Sequence, residues 1–334
     1  MKTHISSGRL TANPGPLAPP GSFGTPASEA ISRRRFLVGT AVVLASARFP
    51  SGLRAAEPAT KPAKVVVGAH PWVYAATQPN NDITPVLPQI FADMRFAGMD
   101  GIELMHTALE PADAVARVGE LSQKHKLPVI GSSFGGAMWD RAQHAALLEL
   151  AETVITRLAK LGGRTLGTSV GAIKWGQKIR KTPEQLDAQA DVLRKIIGLC
   201  ERNGVVLNLH NHTYEVENDL HDLKGTLARI PTVKLGPDLN WLVRGGVDPA
   251  QFLRQYRDKI VFLHLRDQRK DGRWSEALGE GDTDYGAIAK ALQEIPFQGH
   301  AVIELAHERD FKPTRPLRES LKMSREFVRR VLGY

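Results

Sequence analysis

From Lys64 onward the chain alternates between two hydrophobic periods: short aliphatic runs, then longer stretches with apolar residues three and four apart. Lys64–His70 reads as a strand, and a helix follows around Pro88–Ala97. Asp100–Met105 with a helix at Asp113–His125 repeats the unit. So does Leu127–Ser133 with a long helix from Asp140, whose Leu147, Leu150, Val154, Leu158 and Leu161 share one face. Arg164–Ser169 precedes a helix that opens on the capping box Thr182-Pro183-Glu184-Gln185 and stops at Asn203-Gly204. Strands at Val205–His210, Val233–Asp238, Ile260–His264 and Ala301–Leu305 complete the set, with a last helix near Leu317–Val331. Eight strand–helix units in the 271 residues from Lys64 to Tyr334 predict a (β/α)8 barrel, an α/β fold that typically takes about 250 residues. A doubly wound open sheet is the alternative. The first strand, however, ends Gly68-Ala69-His70-Pro71-Trp72, without the glycine-rich phosphate turn that usually marks that fold.

A barrel gathers its chemistry at the C-terminal ends of its strands, and here those ends are polar in a way that packing does not explain. In order they read His70, then Glu103 and His106, then Ser132-Ser133, then Thr168-Ser169. The last four strands give His210-Asn211-His212, Asp238, His264 with Asp267, and Glu304 with His307. Four successive strands ending in imidazole or carboxylate predict one divalent ion held by His210, Asp238, His264 and Glu304. Such a donor set suits Mn2+, Co2+, Zn2+ or Fe2+; a metal-free polar pocket is the alternative. His212 and Asn208 share strand parity with His210, so a slipped register would substitute either one. Asp267 is placed to orient His264 or to contact substrate. His70 and Glu103 are expected at substrate hydroxyls or against neighbouring strands. The single cysteine, Cys200, excludes an intrachain disulfide framework and a Cys-based metal centre. No run reaches the roughly 18 apolar residues of a membrane span.

A net charge of +9 would suggest a nucleic-acid partner if the folded body carried it. It does not: residues 1–56 hold Lys2, Arg9, Arg33, Arg34, Arg35, Arg48 and Arg54 against Glu29 alone. The remaining chain has 37 basic and 34 acidic residues, so no nucleic-acid partner is expected. Residues 1–30 are rich in Pro, Gly, Ser and Thr, without period, and read as disordered. Ser32-Arg33-Arg34-Arg35-Phe36-Leu37 then leads into the short apolar stretch Val38 to Ala47, the layout of an export signal. Cleavage is expected at Ala45-Ser46-Ala47 or around Ala55. The six residues resemble the S-R-R-x-F-L core of the twin-arginine signal. That resemblance implies the twin-arginine export machinery as a partner, a periplasmic or otherwise exported destination, and export of an already folded protein. The expected organisation is a leader at 1–56, a linker at 57–63 and the barrel at 64–334.

Seven segments then carry a second resemblance: Gly101-Ile102-Glu103, Leu209-His210-Asn211-His212-Thr213-Tyr214-Glu215, Asp238-Leu239-Asn240-Trp241, Gly245-Gly246-Val247-Asp248-Pro249, His264-Leu265-Arg266-Asp267, Leu278-Gly279-Glu280-Gly281-Asp282 and Val302-Ile303-Glu304. Their order and spacing resemble the xylose-isomerase-like barrels. That family includes sugar isomerases and epimerases, inosose dehydratase-type lyases and an endonuclease IV branch. Its metal-dependent epimerases take Glu, Asp, His and Glu ligands from strands 5 to 8, which implies Asp238, His264 and Glu304 here. His210 stands where the first Glu would be. The resemblance further implies that Glu215 contacts substrate, that Trp241 (in place of a His) walls the sugar pocket, and that Glu280 lies near the mouth. His210 and Glu304 are thus the catalytic candidates, and His70, Glu103, His212, Glu215, Trp241, Asp267 and Glu280 the substrate-binding ones.

The activity implied is metal-dependent isomerisation or epimerisation of a sugar or keto-sugar. Glu304 would remove the proton next to a carbonyl to give a metal-stabilised enediolate. Pairing of Glu304 with Arg266 is the structural alternative. A dehydratase or keto-glycoside lyase would share the first step, and a non-catalytic sugar-binding barrel would lack it. The endonuclease branch needs ligands where this chain has Trp241, Arg273-Trp274-Ser275 and Ser132-Ser133-Phe134.

Overall fold

The computed structural model describes residues 65–334; the twin-arginine segment and both expected cleavage sites lie outside the described residues. Eight strands follow in order: β1 (Val66–Ala69), β2 (Gly101–Met105), β3 (Val129–Gly135), β4 (Thr165–Ser169), β5 (Val206–Leu209), β6 (Lys234–Leu235), β7 (Phe262–Leu265) and β8 (His300–Ile303). Between and after them run α1 (Trp72–Ala75), α2 (Leu87–Phe96), α3 (Ala114–His125), α4 (His144–Lys160), α5 (Pro183–Arg202), α6 (Thr213–Arg229), α7 (Leu239–Arg244), α8 (Pro249–Gln255), α9 (Tyr285–Glu294) and α10 (Leu317–Leu332). The strands pair in parallel in the order β6-β5-β4-β3-β2-β1-β8-β7. Two further parallel bridges, Leu235 with Ile260 and Asp238 with His264, join β6 to β7 and close the circle. This is the (β/α)8 TIM barrel that the alternation predicts.

Local chemistry accounts for the elements. Thr182 Oγ1 accepts from Gln185 N (3.3 Å) and Gln185 Oε1 accepts from Thr182 N (2.9 Å), forming the predicted capping box at the start of α5. A cap of this kind is worth about 1 kcal/mol. Leu147, Val154 and Leu158 on α4 are buried in the main core, and Leu150 and Leu161 pack at its edge. The predicted strand Val233–Asp238 is regular only over Lys234–Leu235. Pro237 offers no N–H to a ladder, and Gly236 passes so close to the barrel interior that a Cβ there would lie 1.8 Å from Asn208 Oδ1. The ladder resumes only where Asp238 meets His264, so the seam of the barrel sets two of the predicted ligands side by side.

The barrel interior is layered. Ile130, Phe262 and Val302 form an apolar floor against Val66 and Val261. Ile130 reaches inward because Gly101 has no side chain; a Cβ there would lie 2.4 Å from Ile130 Cγ2. Two residues beyond Gly101, Phe262 and Val302 stand Glu103, His264 and Glu304, all buried. Strand side chains return to the same face every second residue, so an apolar floor and a polar layer are stacked along the same strands. Among the described residues no helix is long and apolar enough to cross a membrane.

Candidate metal centre and active site

One ligand atom from each of His210, Asp238, His264 and Glu304 lies within 4.8 Å of the other three. Metal–ligand bonds of about 2.0–2.3 Å place opposite donors at most about 4.6 Å apart, so the four need to close only slightly on an ion. His264 Nδ1 lies 2.8 Å from His210 Nδ1 and 3.2 Å from Glu304 Oε2. Asp238 accepts from the N–H groups of Asn240 (2.9 Å) and Trp241 (3.0 Å) through Oδ1, which caps α7 and fixes its orientation. Its Oδ2, like Glu304 Oε2, is buried without a hydrogen-bond partner. Arg266 lies 3.3 Å from that Asp238 oxygen and His264 Nδ1 3.2 Å from the Glu304 one, so both oxygens have a charged or polar neighbour but are short of hydrogen bonds, a demand that a divalent cation would fill. The donor set fits a divalent metal ion.

The partner that orients His264 is Glu103. Its Oε2 lies 2.5 Å from His264 Nε2, both side chains are buried, and the pair is 161 residues apart in sequence. An imidazole that donates one N–H to a carboxylate presents its other nitrogen as a lone pair, the usual arrangement behind a metal-bound His. The expectation that Asp267 orients His264 is therefore corrected. Asp267 instead accepts from the backbone N–H groups of Gln268, Gly279, Gly281 and Thr283, at 2.9–3.2 Å, and organises the loop after β7. Glu103 likewise lies beneath the pocket rather than in its lining.

Arg266 is 3% exposed and reaches Glu304 Oε1 at 2.8 Å and Asp238 Oδ2 at 3.3 Å. Glu304 thus both pairs with Arg266 and belongs to the cluster. Burial pushes its carboxyl up, but Arg266, His70, His264 and His210 outweigh this and hold it well below the usual carboxylate range. For Asp238, burial outweighs the opposing Arg266 and the carboxyl is raised. Burial drives His264 down, but Glu103, Glu304 and Asp238 override it and raise the imidazole to about 9. Burial lowers His210 well below its ordinary value and takes His212 to about 4, so both are neutral imidazoles near pH 7.

Above the cluster opens a cavity of about 440 Å3. His210, His264, Arg266 and Glu304 form its base, and His70, Ser133 and Ser169 one side. Trp72, Met105, His106 and Phe134 contribute apolar wall, as do Trp175, His212, Trp241 and Trp274. His70 is fixed between Ser133 Oγ (3.1 Å from Nε2) and the N–H of Trp72 (3.2 Å from Nδ1). His212 stands at the wall, stacked on Tyr214 with an interplanar angle of 14°, while His210 joins the cluster. Asn208 is buried deeper in the barrel, beside Gly236. Glu215 does not line the cavity: its carboxylate accepts from His212 N (2.6 Å) and Val170 N (3.3 Å) at the start of α6. Burial and the nearby Asp222 raise Glu215 to about 8. Glu280 pairs with Arg315 at 2.5 Å and accepts from Ala277 N, also away from the lining. Sequence reasoning placed Ser133 at a strand end but did not single out Trp175 and Trp274 as cavity residues. The two tryptophans sit on irregular loops, where no hydrophobic period reveals which way a side chain points.

Residues 91–327 match the family model described as xylose isomerase-like TIM barrel. Among curated relatives, an inosose dehydratase from Geobacillus kaustophilus (strain HTA426) is 24% identical over 175 residues, 46% of this chain and 56% of the relative. An inosose dehydratase from Clostridium beijerinckii (strain ATCC 51743 / NCIMB 8052) is 26% identical over 171 residues, 45% of this chain and 56% of the relative. The chain spans about half the length of the curated relatives it matches. Among solved structures, an L-ribulose 3-epimerase superposes with a TM-score of 0.67 at 23% identity, covering 81% of this chain and 95% of that one. A 3-keto-D-glucoside 4-epimerase from E. coli gives 0.62 at 21% identity, covering 79% and 100%. At these identities the structures share a fold. The family match spans β2 to β8, including all four strands that build the cluster, and on that ground the chain belongs to the xylose isomerase-like TIM barrel family.

Proposed function

We propose that this protein is a metal-dependent isomerase or epimerase of sugars or keto-sugars that removes the proton next to a carbonyl. The observation that carries this reading is the cluster of His210, Asp238, His264 and Glu304, three of which line the base of the cavity, with two carboxylate oxygens that accept no hydrogen bond. The epimerase names of the structural neighbours support the substrate class. His210, Asp238, His264 and Glu304 would hold Mn2+, Co2+ or Zn2+, and the bound ion would supply Lewis-acid polarisation of a substrate oxygen. Glu304 is the base. Arg266 keeps it ionised at the cost of basicity, so it suits a carbon acid already activated by a carbonyl. Arg266 also brings a fixed positive charge to the base of the cavity, where negative charge develops on the substrate oxygen.

His210 favours a second reading, a dehydratase or keto-glycoside lyase. Its Nδ1 faces the cluster and burial keeps the imidazole neutral, so a neutral group stands where a second carboxylate base would give a symmetric pair with Glu304. Elimination of a β-substituent needs only one carboxylate base, and the likeness to inosose dehydratases supports this reading. The test is NMR of products in D2O over a panel of keto-sugars and glycosides with each metal supplied. Deuterium incorporation without elimination supports the isomerase or epimerase. Release of water or aglycone supports the lyase, and neither outcome with any metal would sink both.

We also propose that residues 1–56 direct folded export by the twin-arginine route to the periplasm, ahead of a barrel beginning at Lys64. Replacing Arg33 and Arg34 with Lys should strand the precursor in the cytoplasm; unchanged delivery would refute the route.

A further inference from the structure

Three tryptophans from three separate strand-to-helix connections line one side of the cavity, Trp241 within α7 and the other two on irregular segments. Trp175 follows β4, Trp241 follows β6 and Trp274 follows β7. They meet nearly at right angles: Trp175 to Trp241 at 88° and 6.1 Å, Trp241 to Trp274 at 89° and 5.9 Å. His212 completes the corner, 5.3 Å from Trp175 and 5.5 Å from Trp241. The inner members are anchored. Trp274 donates its indole N–H to Asn240 Oδ1 at 2.9 Å and lies 4.1 Å from the Arg244 guanidinium. Trp241 lies 5.4 Å from Arg266 at the base of the cavity, so the wall runs from the ionic cluster outward.

The outermost ring is different. Trp175 is 61% exposed although it contacts the other rings edge-on. Covering an indole removes a large apolar area from water, at roughly 25 cal/mol per Å2. A ligand with a flat apolar ring face would cover the exposed Trp175 indole.

We propose that this wall is a second ring subsite, so that the substrate is a glycoside: its reacting sugar at the ionic base, its attached ring against Trp175 and Trp241. The inference rests on the proposed function and narrows its substrate class. A cavity of about 440 Å3 falls in the roughly 300–1,000 Å3 range of sites for drug-sized ligands, more than one hexose ring fills. The attached ring is a second pyranose or an aryl group; both offer the flat face that an indole stacks on.

The test is calorimetric binding of unreactive ligands to the full chain: glucose, methyl β-glucoside, cellobiose and phenyl β-glucoside. At least one ring-bearing glycoside should bind roughly tenfold tighter than methyl β-glucoside. Cellobiose alone identifies a second pyranose, and phenyl β-glucoside an aryl group. Trp175→Ala should bring that preference close to one. Equal binding of the methyl and ring-bearing ligands overturns the subsite alone, as does an equal loss for all four ligands in Trp175→Ala. Binding of no sugar at all overturns the sugar reading together with it.

Discussion

The two halves of the barrel mouth are built differently. The ends of β3 and β4 carry hydroxyls that are satisfied locally: Ser132 and Thr168 donate to carbonyls of their own strands, and Ser133 bonds His70. The ends of β5 to β8 carry ionisable groups whose hydrogen bonding is incomplete: Asp238 Oδ2 and Glu304 Oε2 accept no hydrogen bond, although Arg266 and His264 stand close by. Satisfied hydroxyls stabilise a wall; carboxylates short of hydrogen bonds beside facing ring nitrogens make a place for a cation. The contrast locates the chemistry in the second half and leaves the first to shape the cavity. Glu103 on β2 is the exception, since it crosses the barrel to serve His264.

The strongest challenge to this contrast is three side-chain deletions, two on one side and one on the other. Asp238→Ala and His264→Ala should each reduce bound metal from one equivalent to below about 0.1 and abolish turnover, by elemental analysis and product assay. Ser133→Ala should keep a full equivalent of metal and lose under about tenfold in turnover. Equal metal loss on both sides would erase the distinction. If Asp238→Ala and His264→Ala both keep the metal, the metal centre is refuted.

A smaller effect tests the exception. Glu103→Gln removes the charge behind His264 but nearly keeps its shape, so metal affinity should fall about 10–100-fold in a chelator competition. Wild-type affinity in this variant would make Glu103 a packing residue of the first half.

The smallest expected change at the cluster comes from Glu215, which is raised to about 8 by burial and Asp222 but stands behind the mouth. Its folded form holds a proton that the unfolded chain has lost above about pH 4.5, so the native state binds more protons between that value and about 8. Stability therefore falls as pH rises through that window. Glu215→Gln should flatten the fall by up to about 1.4 kcal/mol per pH unit in urea titrations, with metal content unchanged. An unaltered slope would show that Glu215 does not titrate there, and lost metal would extend the ionic half to α6.

Much of this arrangement was legible along the chain. The strand ends named His210, Asp238, His264 and Glu304, and the structure gathers those four. Parity alone could not choose among Asn208, His210 and His212, because all three point to one face; depth along the barrel axis separates them. The carboxylates were harder. Asp267 is adjacent to Arg266 and close to His264 in sequence, yet its hydrogen bonds go to the loop at 279–283. A carboxylate's partner is decided by which N–H groups reach it in space, and sequence distance says little about that.

The sequence by itself determined the repeating strand–helix alternation, the polar residue at each strand end and the chemical types available for a metal. These follow from local periods of two and 3.6 residues, which any short stretch of chain displays. Only the closed barrel decided which polar groups meet. Closure at the Asp238–His264 bridge, the reach of Glu103 across the interior, and the corner of Trp175, Trp241 and Trp274 all join residues distant in sequence. Such contacts depend on the rigid packing of the whole ring of strands, a property that no local pattern contains.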